Sequence, residues 1–203
     1  MLQNRVDPFG NIIKTTARGH WMGNRGILHD GQQNILRPFK LKAWLTCLLE
    51  FNGRKRQVMA PHRYTELFFF DEATAFAAGH RPCFECRRQD YNRFKMYWLK
   101  GNPGYGFDEK TSIIEIDKIL HKERMDKHGQ KIMHKSSIKN IPDGTFILLD
   151  DKPGVLKNNL FYAWSPFGYD KVKALPGIEK LMVITPASIV NTFNAGYIPQ
   201  IQV

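Results

Sequence analysis

Two cysteines three residues apart, Cys83 and Cys86 in GHRPCFECRR, carry the sharpest chemical signal in the chain. The C-x2-C spacing lets a tight turn direct both sulfurs at one metal ion, while backbone N–H groups stabilise their negative charge. Pro82 stiffens the entry to the turn, and Arg87 and Arg88 follow where a helix begins, placed to offset thiolate charge or to hold a phosphate. One pair is half of a structural zinc site. The remaining cysteine, Cys47, is the natural third ligand, and His62 is the expected fourth, with His80 as its alternative. Thiol exchange is the competing chemistry for such a pair, but the βαβ series of a thioredoxin-like site is missing around it. Zinc is therefore the expected cofactor.

Other residue groups could also carry chemistry. Arg25, His29 and Asp30 share a glycine-rich stretch suited to approaching a phosphate, or to capping turns. His121, Arg124 and His128 recur at three- and four-residue offsets, so they fall near one helix face, and His121 and Arg124 could complete a pocket. Asp71, Glu72 and Glu66 beside His62 would supply oxygen ligands for a hard-metal nuclease if the fold gathered them. Arg54, Lys55, Arg56, Arg87 and Arg88 are the expected phosphate contacts for DNA or RNA. Trp44, Tyr64, Tyr97 and Trp98 are either base-stacking surfaces or core.

The charge pattern narrows the partner. The chain of 203 residues has a formal charge of +11, and residues 1 to 62 alone hold ten Lys or Arg against three Asp or Glu. Residues 141 to 203 hold five of each and are neutral. A positive field concentrates phosphate-bearing partners and gains from counterion release, so nucleic acid is the first partner to consider. With 14 Phe, 7 Tyr and 4 Trp the chain has enough apolar area to offset the entropy of ordering it, which argues against disorder. An apolar run long enough to cross a bilayer is lacking, and so is a signal-peptide hydrophobic region in the first residues. Three cysteines form a poor disulfide framework. A soluble cytoplasmic protein with no membrane partner is the expectation.

These side chains need elements to position them. The first forty residues show no sustained period and read as a basic, loop-dominated arm packed by Trp21, Met22, Ile27 and Leu28. A strand through Cys47 should turn at Asn52-Gly53, with Arg54 to Arg56 beginning the returning strand of a hairpin. YTELFFF reads as a third strand. Asp71 caps a short alanine-rich helix that Gly79 stops, and residues 86 to 99 form an amphipathic helix. A further helix covers 112 to 127 with Ser112 as its cap, and residues 128 to 140 connect to a final part. There IPDGTFILLDD, the stretch through Phe161 and Tyr162, and LMVIT read as strands before a short helix over 187 to 195. The expected architecture is α+β, a zinc-knuckle-containing N-terminal body over 1–140 and a small β-rich portion over 141–203.

FFFDEATAFAAGHRPCFECRR resembles the metal-binding module of the Ada family of DNA methylphosphotriester-repair proteins. That resemblance implies a zinc site in which Cys83 and Cys86 take the places of the second ligand pair. The chain is also similar over most of its length to a bacterial protein family marked by segments matching Met22 to Asp30, Tyr64 to Phe69, Gly79 to Arg88, Asp143 to Phe146 and Trp164 to Tyr169. This second likeness implies no particular reaction. The functional expectation is a zinc-stabilised, nucleic-acid-associated binding protein. The alternatives are a metal-dependent nuclease or DNA-repair enzyme, and a structural or protein-interaction protein.

Overall fold

The computed structural model describes residues 1–55, 57–175 and 179–203. Among these the strands form two six-stranded sheets. The first is built from β1 (Gln3–Val6), β2 (Ile12–Lys14), β3 (Trp21–Asn24), β4 (Leu45–Cys47), β5 (Leu67–Phe69) and β6 (Arg81–Pro82), in the order β2-β1-β5-β3-β4-β6. The second holds β7 (His134–Ser137), β8 (Phe146–Leu149), β9 (Lys152–Lys157), β10 (Leu160–Ser165), β11 (Gly168–Ala174) and β12 (Lys180–Val183), in the order β11-β10-β9-β8-β12-β7. Four helices accompany them among the described residues: α1 (Glu72–Ala77), α2 (Arg88–Gly101), α3 (Ile113–Arg124) and α4 (Ala187–Asn194). The fold is mixed α+β, with a β-rich C-terminal sheet.

The first forty residues are more regular than their composition suggests, because they supply β1, β2 and β3. These strands are only three or four residues long, too short to show an alternating pattern. The Asn52-Gly53 turn does form: both residues adopt positive φ, at 51° and 64°, and Arg54 N–H donates to Phe51 O at 3.1 Å. No returning strand follows at Arg54 and Lys55, and Arg56 lies outside the described residues. The partners of β4 are instead β3, antiparallel, and β6, parallel.

α1 is the keystone of the packing. Asp71 caps it by accepting from Thr74 N–H at 2.8 Å, and Gly79 at φ +86° ends it. Every residue of α1 is buried. Ala75 and Ala78 face Leu67 and Phe69 of the first sheet, Ala73 and Ala77 face Phe146 and Val155 of the second, and Phe76 enters the cluster of Phe94, Trp98, Leu120 and Phe193 between the helices. A helix enclosed on all sides at close range requires small side chains, which accounts for the ATAFAA composition.

Contacts cross the two halves. Tyr197 Oη donates to Glu72 Oε1 at 3.0 Å, Gln200 N–H to Glu72 Oε2 at 2.9 Å and Tyr169 Oη to Asp71 Oδ2 at 2.8 Å. The second sheet already begins at His134, and α4 returns to pack against α2 and α3. Among the described residues no helix is long and apolar enough to cross a membrane.

Candidate metal centre

The parallel pairing of β4 and β6 brings the cysteines together. Thr46 is in register with Pro82, and Cys83 N–H donates to Thr46 O at 2.9 Å, so the residues that follow, Cys47 and Cys83, emerge side by side. The turn that starts α2 then returns Cys86 to the same point, closed by Arg87 N–H donating to Cys83 O at 3.1 Å. The three sulfurs lie within 4.8 Å of one another. Tetrahedral geometry with metal–sulfur bonds of about 2.3 Å puts ligand sulfurs about 3.8 Å apart, so small side-chain adjustments seat a zinc-sized ion among them. Cys47 and Cys83 are buried and Cys86 is half-buried.

The electrostatics single out one sulfur. The Cys83 thiol is held well below its ordinary value by hydrogen bonds from the Cys47 and Cys86 thiols, with backbone N–H groups of Cys86 and Glu85 adding to the effect. Cys47 is pushed up by its thiol contacts with Cys83 and Cys86 and by burial. Mutual thiol contacts and two backbone donors favour thiolate charge at Cys83, and a divalent cation would stabilise further deprotonation of the cluster. Met22, Leu45, Tyr64 and Phe68 surround the cluster with apolar surface.

Neither histidine joins it. Among the described residues the group of potential metal-ligating side chains contains Cys47, Cys83 and Cys86 and no others. His62 is exposed at φ +61°, in the loop between β4 and β5. His80 is fully buried with both ring nitrogens engaged: Nδ1 donates to Leu45 O at 2.9 Å and Nε2 accepts from Arg25 Nε at 2.9 Å. That pairing fixes a neutral ring, and burial together with the Arg25 charge lowers its pKa well below the usual range. The carboxylates do not assemble a hard-metal site either. Glu66 accepts from Met59 N–H at 2.8 Å, Asp71 caps α1, and Glu72 is ion-paired with Arg87.

The basic residues divide sharply. Arg54, Lys55 and Arg88 are exposed, Arg54 in an ion pair with Glu85 and Arg88 lying 3.9 Å over the ring of Phe84. Arg87 points inward instead. Its side chain is 1% exposed, ion-paired with Glu72 and Asp90 and stacked 4.1 Å over Trp21, so it is not available to a phosphate. Sequence spacing could not separate Arg87 from Arg88; the single acidic residue at the start of α1 decides it. Phe84, inside the C-x2-C turn, is 49% exposed and was not anticipated as a contact residue. Trp44 and Trp98, by contrast, are core.

The glycine-rich segment is dispersed. His29 is buried against Thr65 Oγ1 at 2.6 Å and Ala60 O at 3.2 Å, and Asp30 caps a turn by accepting from Asn34 N–H at 2.8 Å. Arg25, His121 and Arg124 converge elsewhere, around Trp44 and Phe39. Comparison of the chain with protein-family models, with curated proteins and with solved structures found no match. The cysteine cluster gives the protein a capacity to bind a metal ion.

Proposed function

We propose that this protein holds a zinc ion on Cys47, Cys83 and Cys86 and associates with nucleic acid through the basic surface beside that ion. The observation that carries the reading is the approach of three sulfurs, one of them 36 residues from the next in sequence, to within 4.8 Å. Zinc suits them because an all-thiolate donor set favours a borderline-soft cation over the hard oxygen-seeking ones. Bound there, it would cross-link β4 to the start of α2. The exposed Arg54, Lys55 and Arg88, with Phe84 as a stacking surface, lie on residues adjoining this cross-link, and the net charge of +11 supports an anionic partner.

Purified protein should carry one zinc per chain. Its binding to single-stranded and duplex oligonucleotides should weaken steeply with salt, and Arg54→Gln with Arg88→Gln should reduce that slope by about two. Metal-loaded protein that ignores nucleic acid at low salt contradicts the partner and leaves the metal, in which case a protein-interaction role is the reading that survives.

A second reading is favoured by the donor count. Structural zinc sites are generally closed by four protein ligands, whereas catalytic ones keep a position for water or substrate. Three ligands among the described residues therefore support metal-centred chemistry, phosphodiester cleavage or base repair, as the alternative. Hydrolysis of an oligonucleotide by the zinc-loaded chain, abolished by Cys86→Ser, would select it.

A further inference from the structure

A pocket of about 390 Å³ opens at the other end of β4 from the cysteines, around Trp44. Its walls combine apolar surface from Phe9, Ile12, Ile35 and Leu36 with the cationic side chains of Arg37, Arg124 and Lys131. Behind the wall formed by Gly10, Pro38 and Trp44 lies Arg25, fully buried, whose guanidinium sits 3.6 Å over one face of Trp44 while that of Arg124 sits 4.0 Å from the same ring system. The arrangement concentrates positive charge to an unusual degree for a protein interior.

Two of these groups retain unused donors. Arg25 Nη2 and Arg124 Nε are buried without a hydrogen-bond partner, although the rest of each guanidinium is occupied: Arg25 by His80, Gly10 O and Pro38 O, Arg124 by Gly79 O, Lys42 O and His121. Arg124 lines the pocket directly, and Arg25 Nη2 faces Gly10, which also lines it: a Cβ added at Gly10 would stand 3.8 Å from that nitrogen. Among the described residues no carboxylate forms an ion pair with Arg25, Arg124, Lys131 or Arg37. The charge of Asp7 acts on Arg25 and Lys131 and that of Asp117 on Arg124, but Asp7 accepts from Asn11 N–H and Asn11 Nδ2, both at 2.9 Å, and Asp117 is paired with Arg81. The cations repel one another, and burial with that repulsion brings Lys131 down to about 7. Gathering unpaired cations beside a cavity is costly unless an anion offsets it.

We infer that this pocket binds a phosphate monoester of mononucleotide size, its phosphate on Lys131, Arg37 and Arg124 and its base against the apolar wall. The cavity volume falls in the range of small-molecule sites, and the division into one cationic and one apolar side matches a ligand that is itself so divided. A free nucleotide and the 5′-phosphate end of a nucleic acid present this same chemistry. The inference goes beyond the metal reading and can fail separately from it.

The test is calorimetric titration of the purified full chain with adenosine and uridine 5′-monophosphates, the corresponding nucleosides, inorganic phosphate, and an oligonucleotide with and without a 5′-phosphate. Nucleotide or 5′-phosphorylated oligonucleotide should bind, whichever is tighter identifying the source, and Lys131→Gln and Arg37→Gln should each weaken it by roughly ten- to a hundredfold. Arg37 is exposed and its replacement leaves the core intact, which keeps the test valid if a Lys131 variant folds poorly. Binding of neither phosphate monoester at low salt, unchanged affinity in both variants, or inorganic phosphate binding as tightly as the nucleotide would each overturn the proposal.

Discussion

Replacing Arg87 by Gln and Arg88 by Gln, one at a time, should produce opposite failures from adjacent residues of the same type. In the folded chain Arg87 is the cation against which Glu72 is buried, with side-chain exposures of 1% and 2%. Asp90 completes the ion pair from the first turn of α2, 2.9 Å from Nη2. Removing the guanidinium leaves Glu72 with Tyr197 Oη and Gln200 N–H as its partners, and strips one face of Trp21. Breaking a buried pair from one side costs about 3–5 kcal/mol. A chain of this length loses about 2–4 °C of melting midpoint per kcal/mol, so Arg87→Gln should lower the midpoint by roughly 6–20 °C. Arg88 is exposed and lies over an exposed Phe84, so Arg88→Gln should change stability by no more than about 0.5 kcal/mol while weakening nucleic-acid binding and flattening its salt dependence. Thermal unfolding followed by circular dichroism, paired with a salt titration of binding, separates the two. Equal midpoints for the two variants would refute the inward orientation of Arg87 and the reasoning that removes it from the binding surface.

Three further outcomes follow from the same structure. Zinc at about a thousandfold excess over its dissociation constant contributes about 4 kcal/mol, so chelation should lower the midpoint by roughly 8–16 °C, an effect that Cys47→Ser should largely abolish. Chelation without a shift would remove the metal from the folding energetics. Gly79→Ala should destabilise by about 1–3 kcal/mol, because φ is +86° there and the new Cβ would meet Arg124 Cδ at 2.6 Å; denaturant unfolding measures it, and a neutral result would contradict the end of α1. The depressed pKa of His80 means that the unfolded chain takes up a proton near the ordinary histidine value which the folded chain refuses. Stability from this group is therefore complete above that ordinary value and is lost as pH falls below it. Nitrogen NMR should show His80 neutral, with Nε2 unprotonated, through mildly acidic pH, and ordinary titration of that ring would break the Arg25–His80 pairing described above.

Much of the element pattern was legible because it rests on local chemistry. Asp71 and Ser112 as caps, Gly79 as a stop and Asn52-Gly53 as a turn are each decided by a few neighbouring residues, and all four are present. The three cysteines follow from residue type alone. The short strands of the first forty residues were hidden because three or four residues cannot display a period, and the parallel β4–β6 pairing because it joins segments far apart in sequence. His62 was preferred because His80 stands only three residues before Cys83, but sequence separation says nothing about where a loop residue at φ +61° points. Arg87 turns inward because its partner Glu72 is buried, and that partner is chosen by tertiary packing rather than by the neighbouring sequence. Arg25, His121 and Arg124 were readable as pocket candidates, but not their convergence on Trp44, where histidines and backbone carbonyls rather than carboxylates receive the guanidiniums.

Zinc K-edge X-ray absorption on the purified full chain tests the centre of this account. Three sulfur neighbours at about 2.3 Å with one lighter oxygen or nitrogen neighbour at about 2.0–2.1 Å is the expected shell. A folded protein purified without metal that takes up none, or a bound zinc with fewer than three sulfur neighbours, would contradict it.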